Sequence, residues 1–151
     1  MQIEGEYVFN APREVVYDLL QDPTALEKAM PGATTLTRIT DALFEASVVV
    51  KVGAIGGTFG GTVSVQEAER PQHFMLVVEG KGGVGFLKGA GTVDLEETED
   101  GKTLIHYTGD TQVGGKIAQV GQRLVQTVAR KMIGEGLKSL ENQLAEQQVS
   151  D

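Results

Sequence analysis

The sequence predicts an α+β domain: a curved antiparallel sheet of about seven strands wrapped around one long C-terminal helix, with two short helices after the first strand. Three observations predict it. From Thr34 to Val113, alternating apolar segments follow one another with only short turns between them, which requires antiparallel neighbours. Each strand has one apolar side, so the sheet has one face to cover. The segment from Lys116 to about Glu146 has apolar residues at helical spacing and supplies the cover.

The elements follow in order. Ile3, Gly5, Tyr7 and Phe9 alternate with Glu4 and Glu6, as in a half-buried strand. Asn10-Ala11-Pro12 starts a helix, with Asn10 available as a cap and Pro12 in the first turn. Val15, Val16, Leu19 and Leu20 are its apolar side. Asp22-Pro23 repeats the start signal, and Pro31-Gly32 stops the second helix after Leu26 and Met30. Strands are then expected at 34–40, 43–52, 58–67, 73–81, 86–97 and 103–113, the inward parity of the last being open. In the final helix Val120, Leu124, Val128, Met132, Leu140 and Leu144 recur at four or a multiple of it. Such spacing drifts by about 40° per step on a straight helix, so a bend is expected at Gly134 and Gly136. One domain over 1–148 with a short tail at 149–151 accounts for the chain.

Composition narrows the function. The 151 residues include no cysteine, which excludes disulfides, cysteine nucleophiles and thiolate metal sites. The formal net charge of −8 argues against nucleic acid as a partner. No apolar run approaches the roughly 18 residues of a membrane span, and the acidic start does not read as a signal peptide, so a cytoplasmic protein is expected. Of 20 glycines, eleven lie between Gly53 and Gly91 among Val, Phe and Thr, as glycine-punctuated strands rather than a linker.

Most catalytic constellations are missing. His73 and His106 lie on separate strands without metal-ligand spacing, so no metal and no cofactor are expected. Ser47, Ser64 and Ser139 sit in no nucleophile motif. The glycine runs at 53–57 and 80–85 join strands, neither opens a helix, and both read as hairpin turns rather than phosphate cradles. Glu96, Glu97, Glu99 and Asp100 cluster at a hairpin tip and read as a solvated acidic turn rather than as acid–base chemistry, for which a carboxylate would need burial. No catalytic residue is assigned.

The interior is more informative. Phe44, Phe59, Phe74, Val48, Val50, Leu76 and Val78 are expected inward, with Phe86 and Tyr107 as further candidates. Tyr7 and Phe9 join from the first strand, Tyr17 and Met30 from the short helices, and Gly121, Leu124, Val128 and Met132 from the long helix. These are the candidate ligand-binding residues. Inward glycines at Gly61, Gly89, Gly91 and Gly121 remove side chains where a core would want them, which predicts a cavity holding an apolar small molecule. The alternatives are a filled core in a pure interaction subunit, or a cyclase- or dehydratase-type enzyme in which a tyrosine or His106 polarises a carbonyl. A catalytic His106 would have to face the cavity; inward Tyr107 places it outside.

Lys116, Arg123 and Arg130 are spaced by seven, as are Lys131 and Lys138, and Glu135 is the only acid from 116 to 138. In an acidic protein this is a local basic stripe. It reads either as a solvated helix face or as a docking surface for anionic lipid or an acidic partner.

Several segments together resemble the carbon monoxide dehydrogenase G-subunit family, within the START-like or SRPBCC superfamily of helix-grip lipid carriers and polyketide cyclases. They are Ala11-Pro12 with Val15-Val16-Tyr17; Asp22-Pro23 through Leu26 to Met30-Pro31-Gly32; Gly57-Thr58-Phe59-Gly60-Gly61; Gly85 through Gly89 and Gly91; and Val113-Gly114-Gly115-Lys116-Ile117-Ala118 with Gly121-Gln122-Arg123-Leu124. The resemblance implies a helix-grip fold and a non-enzymatic accessory protein beside a molybdenum hydroxylase complex, at the inner membrane face and close to its electron transfer. A lipid- or quinone-like ligand follows from that setting.

Overall fold

The computed structural model describes residues 1–30 and 34–150, with side chains through Glu146. Pro31-Gly32, Ala33 and Asp151 lie outside the described residues. Seven strands form one antiparallel sheet in the order β1-β7-β6-β5-β4-β3-β2. They are β1 (Gln2–Phe9), β2 (Thr34–Thr40), β3 (Leu43–Val52), β4 (Ile55–Glu69), β5 (His73–Gly82), β6 (Gly85–Glu97) and β7 (Thr103–Gly114). Consecutive strands from β2 to β7 are hairpins, and β1 returns beside β7. Helices α1 (Arg13–Leu19) and α2 (Pro23–Ala29) follow β1, and α3 (Gln122–Ser150) lies across the apolar face.

Local chemistry explains the element ends. The Asp22 carboxylate accepts from the Thr24 and Ala25 backbone N–H groups, with Pro23 at the first helical position. Asn10 does not cap α1. Pro12 holds the cap position without a side-chain bond, and the Asn10 N–H donates to the Glu141 carboxylate on α3. Val52 pairs with Ile55 and Gly82 with Gly85, so both hairpins turn on two residues, and β4 begins earlier than its alternation suggests.

The last helix departs from expectation at its start. Residues Lys116–Val120 form a 3₁₀ turn, and α3 begins only at Gln122. Gly121, at φ +101°, separates them, a conformation that no residue inside an α-helix adopts. Lys116 is therefore not on the helix that carries Arg123, Arg130, Lys131 and Lys138. α3 runs on through Gly134 and Gly136 to Ser150, past the boundary expected for a tail. Gly136 lies where α2 approaches, with Met30 Sδ and the Ala29 carbonyl as its neighbours.

Two packed clusters hold the grip. The larger joins Phe9, Val16, Tyr17, Leu19, Phe44, Phe74, Leu95 and Ile105 to Leu137, Leu140 and Leu144 of α3. Tyr17 meets Phe74 edge-on at 5.4 Å, and the Arg38 guanidinium sits 4.7 Å from the centre of the Phe44 ring. The buried Thr103 hydroxyl donates to the Ala11 carbonyl at 2.7 Å and ties β7 to the approach of α1. The smaller cluster, Val52, Phe59 and Ile117, packs with Val50, Val84, Val113, Val120, Val125 and Val128.

Candidate ligand cavity

Between the clusters lies a cavity of about 280 Å³. Its floor is Ala46, Val48, Val50 and Val52 of β3, Phe59, Gly61 and Val63 of β4, Val78 and Gly80 of β5, and Leu87 of β6. Ile3, Thr111 and Val113 form one wall, and Met30 and Ile117 contribute from either end. Val125, Val128, Ala129 and Met132 cover it. Their spacing of three, four and seven is one face of a helix. A second apolar chamber of about 320 Å³ adjoins, sharing Ile3, Val78, Leu87 and Thr111, and adds Leu20, Leu76, Ile105, Tyr107, Ile133 and Leu137.

Polar groups are sparse. Thr62, Glu79 and Thr111 are the polar residues lining the cavity, and Thr62 and Glu79 are exposed at outward strand positions. Tyr107 lies across Gly5 of β1, its hydroxyl occupying the space a Cβ there would take. Tyr107 is thus inward. His106 is outward and meets the Glu4 carboxylate at 3.0 Å. His73 likewise pairs with Asp94 on its neighbouring strand. Among the described residues no group of three or more His, Cys, Asp or Glu could hold a metal. Burial, reinforced by the Glu141 charge, pushes the Tyr7 hydroxyl above its ordinary pKa, and Tyr7 packs against the larger cluster.

Of the residues singled out by sequence, Met30, Val48, Val50, Phe59, Val78, Val128 and Met132 line the cavity, and Leu76 and Tyr107 line the second chamber. Tyr7, Phe9, Tyr17, Phe44 and Phe74 do not. They are packed into the larger cluster beside α1, where rings fill space instead of enclosing it. Phe86 is 49% exposed, because Leu87 takes the inward position on β6 and the Phe86 ring lies over Gly114 of β7. Leu124 is 39% exposed, because the break at Gly121 sets a helical phase in which Val125 and Val128 face the sheet. Gly121 has no atom within 4 Å of a built Cβ and does not line the cavity. Ala46, Val52, Val63 and Val125 also line the cavity; strand parity and helical spacing place them on the apolar faces, but they are not among the ligand-binding candidates drawn from the sequence, and neither are Gly80 and Ala129, which carry no strong apolar signal.

Lys116, Arg123, Arg130, Lys131 and Lys138 are all exposed. Lys116 stands on the 3₁₀ turn, apart from the other four, and Lys131 faces Glu135 at 4.0 Å. No helix among the described residues is long and apolar enough to cross a membrane.

Comparison with known proteins agrees with this architecture. Residues 5–145 match the family described as the carbon monoxide dehydrogenase G-subunit (CoxG). A conserved protein from Geobacillus kaustophilus is similar in structure, with TM-score 0.90 and 30% identity, over 97% of this chain and 96% of that one. A START superfamily protein from Mycobacterium smegmatis aligns with TM-score 0.71 and 16% identity over 97% and 98%. The Zhui aromatase/cyclase from Streptomyces sp. R1128 aligns with TM-score 0.73 and 14% identity over 99% and 95%. The last two likenesses establish a START-like fold. No curated protein sequence matches.

Proposed function

Because the chain belongs to the CoxG family of carbon monoxide dehydrogenase, we propose that it is a non-enzymatic accessory protein that carries an apolar, lipid- or quinone-like molecule between sheet and helix, beside a carbon monoxide dehydrogenase-type molybdenum hydroxylase at the membrane surface. The observation that carries the reading is the cavity wall, which is aliphatic except for Phe59, two outward polar residues and Thr111. The pocket of about 280 Å³ is open on one side, so without an occupant its aliphatic wall faces water, at a cost of about 25 cal/mol per Å² of apolar surface. An apolar occupant removes the cost, and the scarcity of polar groups favours recognition by shape and burial over directed hydrogen bonds.

The cyclase alternative rests on the likeness to the Zhui aromatase/cyclase and on Tyr107, whose side chain faces the second chamber. His106, outward and beside Glu4, supplies no acid or base to that chamber. The test titrates a short-chain quinone and a fluorescent acyl probe into the protein and then assays the same molecules for turnover. Saturable binding without conversion supports the carrier; conversion that Tyr107→Phe abolishes would establish the enzyme. Co-purification with the tagged hydroxylase tests the association.

A further inference from the structure

We propose that the end of the grip built from the β3–β4 and β5–β6 turns, the 3₁₀ turn and the start of α3 is a docking rim for an anionic lipid bilayer. This deepens the carrier reading and rests on it for the reason to dock. The pieces of the rim meet. A Cβ built at Gly53 would lie 3.5 Å from Leu124 Cδ2, Val84 covers Gly57, and the Ile117 N–H donates to the Val84 carbonyl at 2.9 Å. Phe86 pairs with Lys81 on one side and Gly114 on the other. Two large apolar side chains, Phe86 and Leu124, are therefore left half in water at the same end of the fold.

The charges are segregated in the same way. At this end, residues 50–60, 80–88 and 111–124 carry Lys51, Lys81, Lys88, Lys116 and Arg123 and no acid. The rest of the chain sets the other eight cations against all twenty-one acids. Lys51, Lys81, Lys116 and Arg123 stand beside the rim, with no ion-pair partner among the described residues. An anionic surface attracts this end and repels the remainder, which orients the molecule. Apolar side chains set among cations suit a lipid interface, where the rings and aliphatic tips enter and the ammonium groups stay with the headgroups.

The rim borders an outer groove that shares walls with the cavity. Met1, Thr111, Val113 and Val125 line both the cavity and an outer groove of about 530 Å³ bordered by Phe86, Ala118 and Gln122. With the rim in the interface, an apolar cargo leaves along this groove without crossing water. An acidic protein partner would explain the cations but not the exposure of Phe86, which borders that groove, and of Leu124 beside Gly53 on the same rim.

The chain has no tryptophan, so single reporters are unambiguous. Phe86→Trp, Leu124→Trp and, at the other end of the sheet, Ile39→Trp are mixed with vesicles of phosphatidylcholine alone or with added phosphatidylglycerol. Emission should shift to the blue for 86 and 124 on anionic vesicles only, and not for 39. Lys51→Gln and Lys81→Gln should each weaken partitioning about fivefold. Arg130→Gln with Lys138→Gln should leave it unchanged. Equal shifts at 39, no shift at 86 and 124, or binding governed by Arg130 and Lys138 would overturn the rim. Quinone and acyl-probe binding without vesicles separates the two ideas: if it persists while the rim fails, the carrier reading survives alone.

Discussion

Gly61 and Gly80 face each other across β4 and β5 in the floor of the cavity, yet only one of them has room for a side chain. A Cβ at Gly61 would overlap the Glu79 carbonyl, whereas one at Gly80 would meet nothing closer than 3.7 Å. Gly61 serves the close approach of two coiled strands. Gly80 leaves cavity volume open. Gly80→Val should therefore abolish binding of an apolar probe without loss of stability, and Gly61→Ala should lower the melting temperature. Thermal unfolding measured beside probe titration separates the two.

The two halves of α3 are held differently. Leu137, Leu140 and Leu144 are buried in the larger cluster, whereas Val125 and Val128 over the cavity are partly exposed. The Gln126 side-chain amide, donating to the Gln2 carbonyl, is the polar tie of the first half to β1. Leu140→Ala should cost about 2–5 kcal/mol in denaturant unfolding, and Val128→Ala under about 1 kcal/mol. Native-state hydrogen exchange should find amides 122–132 opening far more readily than 137–144, with bound ligand slowing the first set. Equal protection in both halves of the ligand-free protein would contradict a loose cover.

A hydrogen bond from Arg70 holds the Asp18 carboxyl below its usual pKa, burial opposing it and the Arg70 charge adding to it. A carboxylate with a depressed folded-state pKa contributes stability above its unfolded pKa and loses it as pH falls through the folded value. The stability difference between the native protein and Asp18→Asn should accordingly be greatest near neutrality and vanish in acid. Both side chains are more than half exposed, so the difference is small and shrinks with salt. A gap that widened in acid would refute the assignment.

Outward His106 predicts that His106→Ala leaves ligand affinity unchanged, since its contact is to Glu4 on the far face. Tyr107→Leu should alter affinity only for ligands long enough to reach the second chamber. A titration series of probes of increasing chain length reads both effects.

The succession of strands along the chain, the two short helices and the long cover were legible because period-two alternation and start signals are local properties of the chain, whereas the pairing of β1 with β7 is a long-range contact. Phe59, Val78 and Val128 followed from parity and helical spacing alone. The aromatic residues misled for a physical reason: Phe9, Phe44 and Phe74 are large enough to fill the space they face, so they mark packed core, and the cavity lies where Ala46, Val63 and Gly80 do not reach. The helical cover was misread by its phase. A positive φ at Gly121 is a backbone state, and the apolar spacing that crosses it from Val120 to Leu124 carries no sign of it. Phe86 stands outward because Leu87, its neighbour on β6, takes the inward position.

The measurement closest to the central claim is native mass spectrometry of gently purified protein, followed by organic extraction. The account predicts one co-purifying apolar molecule per chain, lost in Gly80→Val and retained in His106→Ala. A clean ligand-free mass, with no uptake from a quinone and lipid panel, would contradict the carrier and leave a pure interaction subunit in its place.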